Sequence, residues 1–293
     1  MLSIDFVRPF DKTYDLVTLR IRDRALGLTP IENAWLECLI REFQQERNKW
    51  DESKFTGYRN EWKRLRFNLS RLAAAAYLHI SYDLPRVIAD QWPGKSPWQM
   101  PPQMRATSIF FSLDRDFLDV FSIVTKDSAI VGLPAYFLSP FSRKLLRSST
   151  HWVLLLRRAA WQHADQLRQS TNRRYVEERM LTAITLALKD VSDLPWSIGT
   201  LLPPDDAFAP AVVPVWLSEL DHFWMGAAST LALGLMVAYL GRKRWKHYDE
   251  LSDFIEELGL RTHEYVSIAI QDPEGLERCR LDRIRLDRSR RRA

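Results

Sequence analysis

Cysteine is nearly absent from this chain. Cys38 and Cys279 lie far apart, in neither a zinc nor a redox spacing. They exclude a disulfide scaffold and fit a reducing compartment. Glycine is also scarce, at 10 in 293 residues, and no segment alternates well enough to demand a strand. The sequence has no P-loop, no glycine-rich dinucleotide fingerprint, no HExxH and no nucleophile elbow. The reactions that those motifs carry therefore have no obvious seat. No repeat of solenoid period is found. The opening residues MLSIDFVRPFDKTYD carry Asp5 and Arg8 and no apolar stretch of the kind a secretory signal needs, so the expected location is the cytoplasm. The formal net charge is only +5, with much of the excess in the arginine-rich end, which argues against nucleic acid as a partner.

Hydrophobic residues make up 46% of the chain and 11 are tryptophan, enough for a large helical core or a pocket for an apolar ligand. Apolar residues recur at helical spacing. Thr29-Pro30-Ile31-Glu32 is a helix start: threonine caps, proline suits the first turn and glutamate completes a capping box. The helix it opens carries Ile31, Trp35, Cys38, Leu39 and Phe43 on one face. A second helix is predicted from Tyr58 to Asp83, closed by Leu84-Pro85. Others are predicted over Asp114–Val124, Ser148–Arg168 and Asn172–Asp190. A proline-rich loop near 94–103 and an irregular stretch around Pro134 and Pro140 lie between them.

These patterns predict an all-α protein. Residues 1–193 form a helical bundle body and 194–210 a proline-rich connection. Residues 211–270 form an appendage holding an apolar helix and further C-terminal helices, and 271–293 an arginine-rich tail. The run 223–241 contains no charge, and Gly226, Thr230, Gly234 and Ala238 form a small-residue ridge along it. Arg242, Lys243, Arg244 and Lys246 follow it, and acidic residues precede it. The positive-inside rule would place the body outside the cell, so a buried helix is expected over a membrane span, with membrane or protein association as the alternative. The tail reads as a solvated, partly disordered segment. Nucleic acid, an acidic membrane and an acidic protein are the partners it can address.

One polar pair interrupts an apolar stripe. Trp62, Leu65, Leu69, Leu72 and Ala76 point one way, and the same spacing lands next on His79 and Asp83. Two ionisable groups at i and i+4 then occupy core positions, where they need a metal, a ligand or protein partners. The spacing offers two ligands to a divalent metal, or a carboxylate that orients a general-base imidazole. A satisfied core pair is the competing reading. Arg157 shares a face with Trp161 and Ala164, and Asp83 is its expected carboxylate. His163 points to nearly the opposite side of that helix, and His151 is read as preceding it. Asp116 and Asp119 are read as solvated. Asp221-His222 is a further possible partner of undetermined direction.

The segment Tyr77-Leu78-His79-Ile80-Ser81-Tyr82-Asp83-Leu84-Pro85 resembles the hallmark of an uncharacterised, mainly bacterial helical family, a numbered domain of unknown function, whose motif runs Ala-His-Ile-Asn-x-Asp-Leu-Pro. Ser81 stands where asparagine is usual. Phe10-x3-Tyr14-x3-Thr18, Asp116-Phe117 and Arg157-x3-Trp161-x2-Ala164 are similar to three further stretches of that family, in its order. The likeness spans roughly residues 5–170. It implies an all-helical body with His79, Asp83 and Arg157 as motif positions, and no known reaction.

Two functions are therefore expected in competition. One is an enzyme acting on a small, fairly apolar molecule through His79, Asp83 and Arg157, with a divalent metal as a possible cofactor held by His79 and Asp83. The other is a non-catalytic helical protein that associates with a membrane or a complex through 223–241 and the basic tail.

Overall fold

The computed structural model describes residues 18–19, 27–65, 68–92, 103–116, 141–194, 250–272 and 274–290. Among them every regular element is helical, as the periodicity predicts. The run 223–241, with its small-residue ridge, lies outside the described residues, as do Asp119, Asp221, His222 and most of the proline-rich connection. Among the described residues no helix is long and apolar enough to cross a membrane.

Helix α1 (Pro30–Glu46) begins at the predicted capping box. Thr29 N donates to Glu32 Oε2 at 2.9 Å, and Glu32 N to Thr29 Oγ1 at 3.3 Å. Arg105 also binds Glu32, and that bond is the largest cause holding the Glu32 carboxyl at about 2. Trp35, Leu36, Leu39 and Phe43 are buried, but Ile31 is exposed and Cys38 half-buried, so the inward face is turned slightly from the predicted one. Two 3-10 turns (Arg47–Asp51 and Ser53–Phe55) then lead into α2 (Thr56–Arg64).

The helix predicted over Tyr58–Asp83 is not continuous. It breaks at Leu65, whose ψ of 130° is extended. Side chains lock that corner: Trp62 Nε1 donates to Arg71 O at 3.0 Å, and Arg71 Nε to Leu65 O at 2.7 Å. Helix α3 (Asn68–Leu78) then passes into a π-helical turn (His79–Asp83) and on into α4 (Leu84–Asp90). Pro85 does not close the helix as expected. It sits in the first turn of α4, where Leu84 N bonds to His79 O across five residues. In a regular α-helix the proline ring would collide with the carbonyl four residues back, and the wider π turn provides that space.

The α3–π–α4 rod is packed on by α1, by α6 (Phe141–Gln169) and by α7 (Arg173–Ser192). α5 (Gln103–Ser112) adds Ala106, Ile109 and Phe110 to the core. α6 starts well before the predicted Ser148, so His151 lies inside it rather than ahead of it. The predicted start of α7 holds, with Asn172 Oδ1 accepting from Tyr175 N at 3.2 Å.

Two C-terminal helices follow: α8 (250–271) shares the core of the body through Phe254, Ile255, Leu258, Tyr265 and Val266, and α9 (Gly275–Arg290) packs the partly buried Leu276 and Cys279 against it. Tyr77 Oη donates to Ile255 O at 3.3 Å. A Cβ at Gly259 would lie 2.4 Å from the Trp152 ring, so glycine is what lets α8 press against α6. The segment expected to be a solvated, disordered tail is helical over Gly275–Arg290 and docked by ion pairs. Two of the arginines that suggested disorder, Arg280 and Arg283, have acidic partners on α7 and α8, outside the tail and hence invisible to its local composition.

Candidate functional site

The π turn brings His79 and Asp83 together as the i, i+4 spacing suggested. Nδ1 of His79 and Oδ2 of Asp83 are 2.7 Å apart, and the two side chains are 1% and 0% exposed. Three neighbours close the pair, and none was evident from the sequence. Phe43 of α1 lies flat on the imidazole, with ring centroids 3.6 Å apart and planes 10° from parallel. Trp50, from the first 3-10 turn, stands edge-on to the same ring and donates its indole N–H to Asp83 Oδ2 at 2.8 Å. Arg86, one turn into α4, places Nη1 3.8 Å from Asp83 Oδ1.

Arg86 links the pair to a charged network. It binds Glu46 of α1 at 2.6 Å and Glu177 of α7 at 3.1 Å, and its guanidinium lies over the Tyr82 ring. Burial presses the Arg86 pKa down, and Tyr82, Glu177, Glu46 and Asp83 together more than offset it, so the net shift is upward. Arg173 carries the network outward, pairing with both Glu177 and Asp90. Ser81 has a buried hydroxyl that makes no hydrogen bond among the described residues.

Arg157 does not join this group. It is buried as expected, but its carboxylate is Asp114, just beyond α5, and not Asp83. It also donates to Phe110 O at 2.8 Å and covers the Phe110 ring at 4.6 Å. Burial lowers its pKa to about 10, against the opposing pull of Asp114, so it remains a cation at neutral pH. Direction decides the partner of Arg157. Trp50 and His79 already occupy Asp83 Oδ2, while α5 and the residues just after it deliver the Phe110 carbonyl and the Asp114 carboxylate to the guanidinium. Asp116 is buried rather than solvated.

His163 does face away from the pair, but it is buried against α8, with Nε2 3.4 Å from Ser267 Oγ. Burial first, and nearby His263 second, lower its pKa to about 4. Thus α6 is covered on two sides, which a single apolar stripe would not suggest.

Chemically, acceptance by Asp83 at Nδ1 fixes the imidazole tautomer and makes Nε2 the basic nitrogen. The facing atoms of His79 and Asp83 bind each other, so they do not form a two-ligand chelate through those atoms. Among the described residues no group of three His, Cys, Asp or Glu side chains is arranged to hold a metal ion. Set against family models, curated proteins and solved structures, the chain matches none.

Proposed function

We propose that this chain is a non-catalytic helical protein that works by association, at a membrane or in a complex, with His79, Asp83 and Trp50 as a buried polar brace of its core. One observation supports this most. Asp83 is wholly buried, its Oδ2 is shared by His79 and Trp50, and Phe43 lies flat on the imidazole. Groups enclosed by the protein's own side chains commit their polarity to the fold. A general base has to come within hydrogen-bond reach of a substrate proton.

Stability separates a brace from a catalytic pair. Catalytic groups are often kept at a cost, so their removal tends to leave the fold equally or more stable. A brace behaves the other way. Asp83→Asn and Trp50→Phe are each expected to lower urea stability by about 2–4 kcal/mol, the scale of a lost buried hydrogen bond to a charged group. Unchanged or raised midpoints in both variants would reject the brace.

A second reading is favoured by the same Nδ1 hydrogen bond. A carboxylate behind an imidazole is the arrangement of general-base histidines and of histidines that hold a metal. The chain would then be an enzyme acting on a small, fairly apolar molecule, with His79 as base or metal ligand and Asp83 orienting it. Arg157 would act only through packing. Stoichiometric divalent metal in the purified protein, lost in a folded His79→Ala variant, would favour this reading. The likeness to the uncharacterised helical family is compatible with both, since it implies no reaction. The sparse cysteines support a cytoplasmic location.

A further inference from the structure

The last nineteen residues, 275–293, hold eight arginines, no lysine and three acidic residues. That surplus of five positive charges equals the formal net charge of the whole chain, +5. Within α9 the charge is divided between two faces. On the inward face Arg280 binds Asp190 at 2.9 Å and Arg283 binds Glu264 at 2.8 Å, while Asp287 accepts from Arg261 at 2.7 Å. These bonds neutralise the docked face and fix the helix to α7 and α8. On the outward face Arg278 and Arg285 stand two turns apart on one stripe, 73% and 78% exposed. Their acidic neighbours, Asp272 and Asp282, are themselves well exposed, so those pairs are weak and exchangeable. Leu281 and Leu286 lie on either side of the stripe, 45% and 51% exposed. They are two of the five large hydrophobic residues exposed among the described residues.

We propose that the outer face of α9 rests on an anionic phospholipid surface. Arginine, rather than lysine, supplies the planar fork that matches phosphate oxygens in pairs. A nucleic acid would engage the arginines and leave both leucines in water. A bilayer engages both kinds of side chain, because its acyl boundary begins just below the phosphates and an interfacial helix buries its apolar residues there. The sequence agrees: the uncharged run 223–241 is followed at once by Arg242, Lys243, Arg244 and Lys246. Glu277 and Asp282 oppose the attraction, which is therefore modest and sensitive to salt. The inference rests on the association reading and gives it a partner.

The test is co-sedimentation of the full chain with vesicles of phosphatidylcholine alone, or of phosphatidylcholine mixed with phosphatidylserine. Binding is expected on the anionic vesicles only, weakening as salt rises. Arg278→Gln with Arg285→Gln should reduce it about twenty-five-fold, an arginine near such a surface being worth roughly fivefold. Leu281→Gln with Leu286→Gln should reduce it as well. Both pairs of substitutions leave the bonds to Asp190 and Glu264 in place, so circular dichroism should match the wild type. No binding, equal binding to both vesicle types, or undiminished binding in either double variant overturns the proposal. Tighter binding to a single-stranded oligonucleotide than to anionic vesicles overturns it too. Absence of vesicle binding together with a destabilised Asp83→Asn variant removes the lipid surface alone. Unchanged or raised midpoints in both Asp83→Asn and Trp50→Phe remove the brace, and with it the non-catalytic reading on which the inference rests.

Discussion

Arg157 takes its carboxylate from Asp114, 43 residues earlier in the chain, while Asp83 is held by Trp50 and His79. Arg157 and Asp83 thus belong to two separate buried clusters. Removing Arg157 leaves Asp114 to the exposed Arg158 at 3.5 Å, and removing Asp114 leaves the buried Arg157 to the weaker pull of Asp116. Arg157→Ala and Asp114→Ala should each cost about 3–5 kcal/mol. Combined, they should cost clearly less than their sum, whereas Arg157→Ala with Asp83→Ala should be additive within about 0.5 kcal/mol. Urea denaturation of both double-mutant cycles reads this directly. Coupling to Asp83 instead of Asp114 would show that the two clusters are one.

Acid should loosen the contact between α6 and α8. The His163 pKa is about 4 in the fold, below its ordinary 6.5, because burial and His263 disfavour the imidazolium. His263 is shifted in the same direction, mainly by burial. Between those two pH values the unfolded chain binds more protons than the folded one. The stabilisation is therefore complete above about pH 6.5 and is lost as the pH falls toward 4, by about 3 kcal/mol for His163. Unfolding free energies measured at intervals across that window should fall with decreasing pH in the wild type. The slope should be shallower in His163→Phe; an identical slope would mean that His163 is not the group responsible.

Two glycines should respond in opposite ways to alanine. Gly259→Ala puts a methyl group 2.4–2.8 Å from the Trp152 side chain, so the helices must part or the indole must move. A loss of about 1–3 kcal/mol is expected from this overpacking. Gly57→Ala meets only Thr185 Cγ2 at 3.6 Å, an ordinary contact, and lies near the start of α2. There a gain of about 0.4–1 kcal/mol is expected from the reduced freedom of the unfolded chain. Thermal melts of the two variants should shift in opposite directions.

What the sequence made legible was local. The capping box at Thr29 and Glu32, the cap at Asn172 and the meeting of His79 with Asp83 all depend on residues three or four apart. Short-range geometry decides such features before any tertiary contact forms. The partners that complete each group come from far along the chain: Trp50 for Asp83, Asp114 for Arg157, Asp190 for Arg280. Selecting them requires the relative rotation of packed helices, and periodicity says which side of a helix is buried but not what lies opposite. The corner at Leu65 was missed for a related reason. Its apolar residues stay in phase across the break, while the hydrogen bonds of Trp62 and Arg71 that fix the turn run to backbone carbonyls.

The π turn at His79–Asp83 holds one residue more than an α-helical path of the same rise would use. That surplus sets an angle. If the same residues were wound as a regular α-helix instead, everything beyond the turn would rotate by about 100°. Leu84, Val87 and Ile88 would swing out of the core, and Arg86 would leave Glu46 and Glu177 together. The orientation of α4 is thus set by the winding of a single turn. A change of winding at this turn would work as a rotation of α4, felt at α1, α6 and α7 at once, while a change of side chain there would remove only a contact.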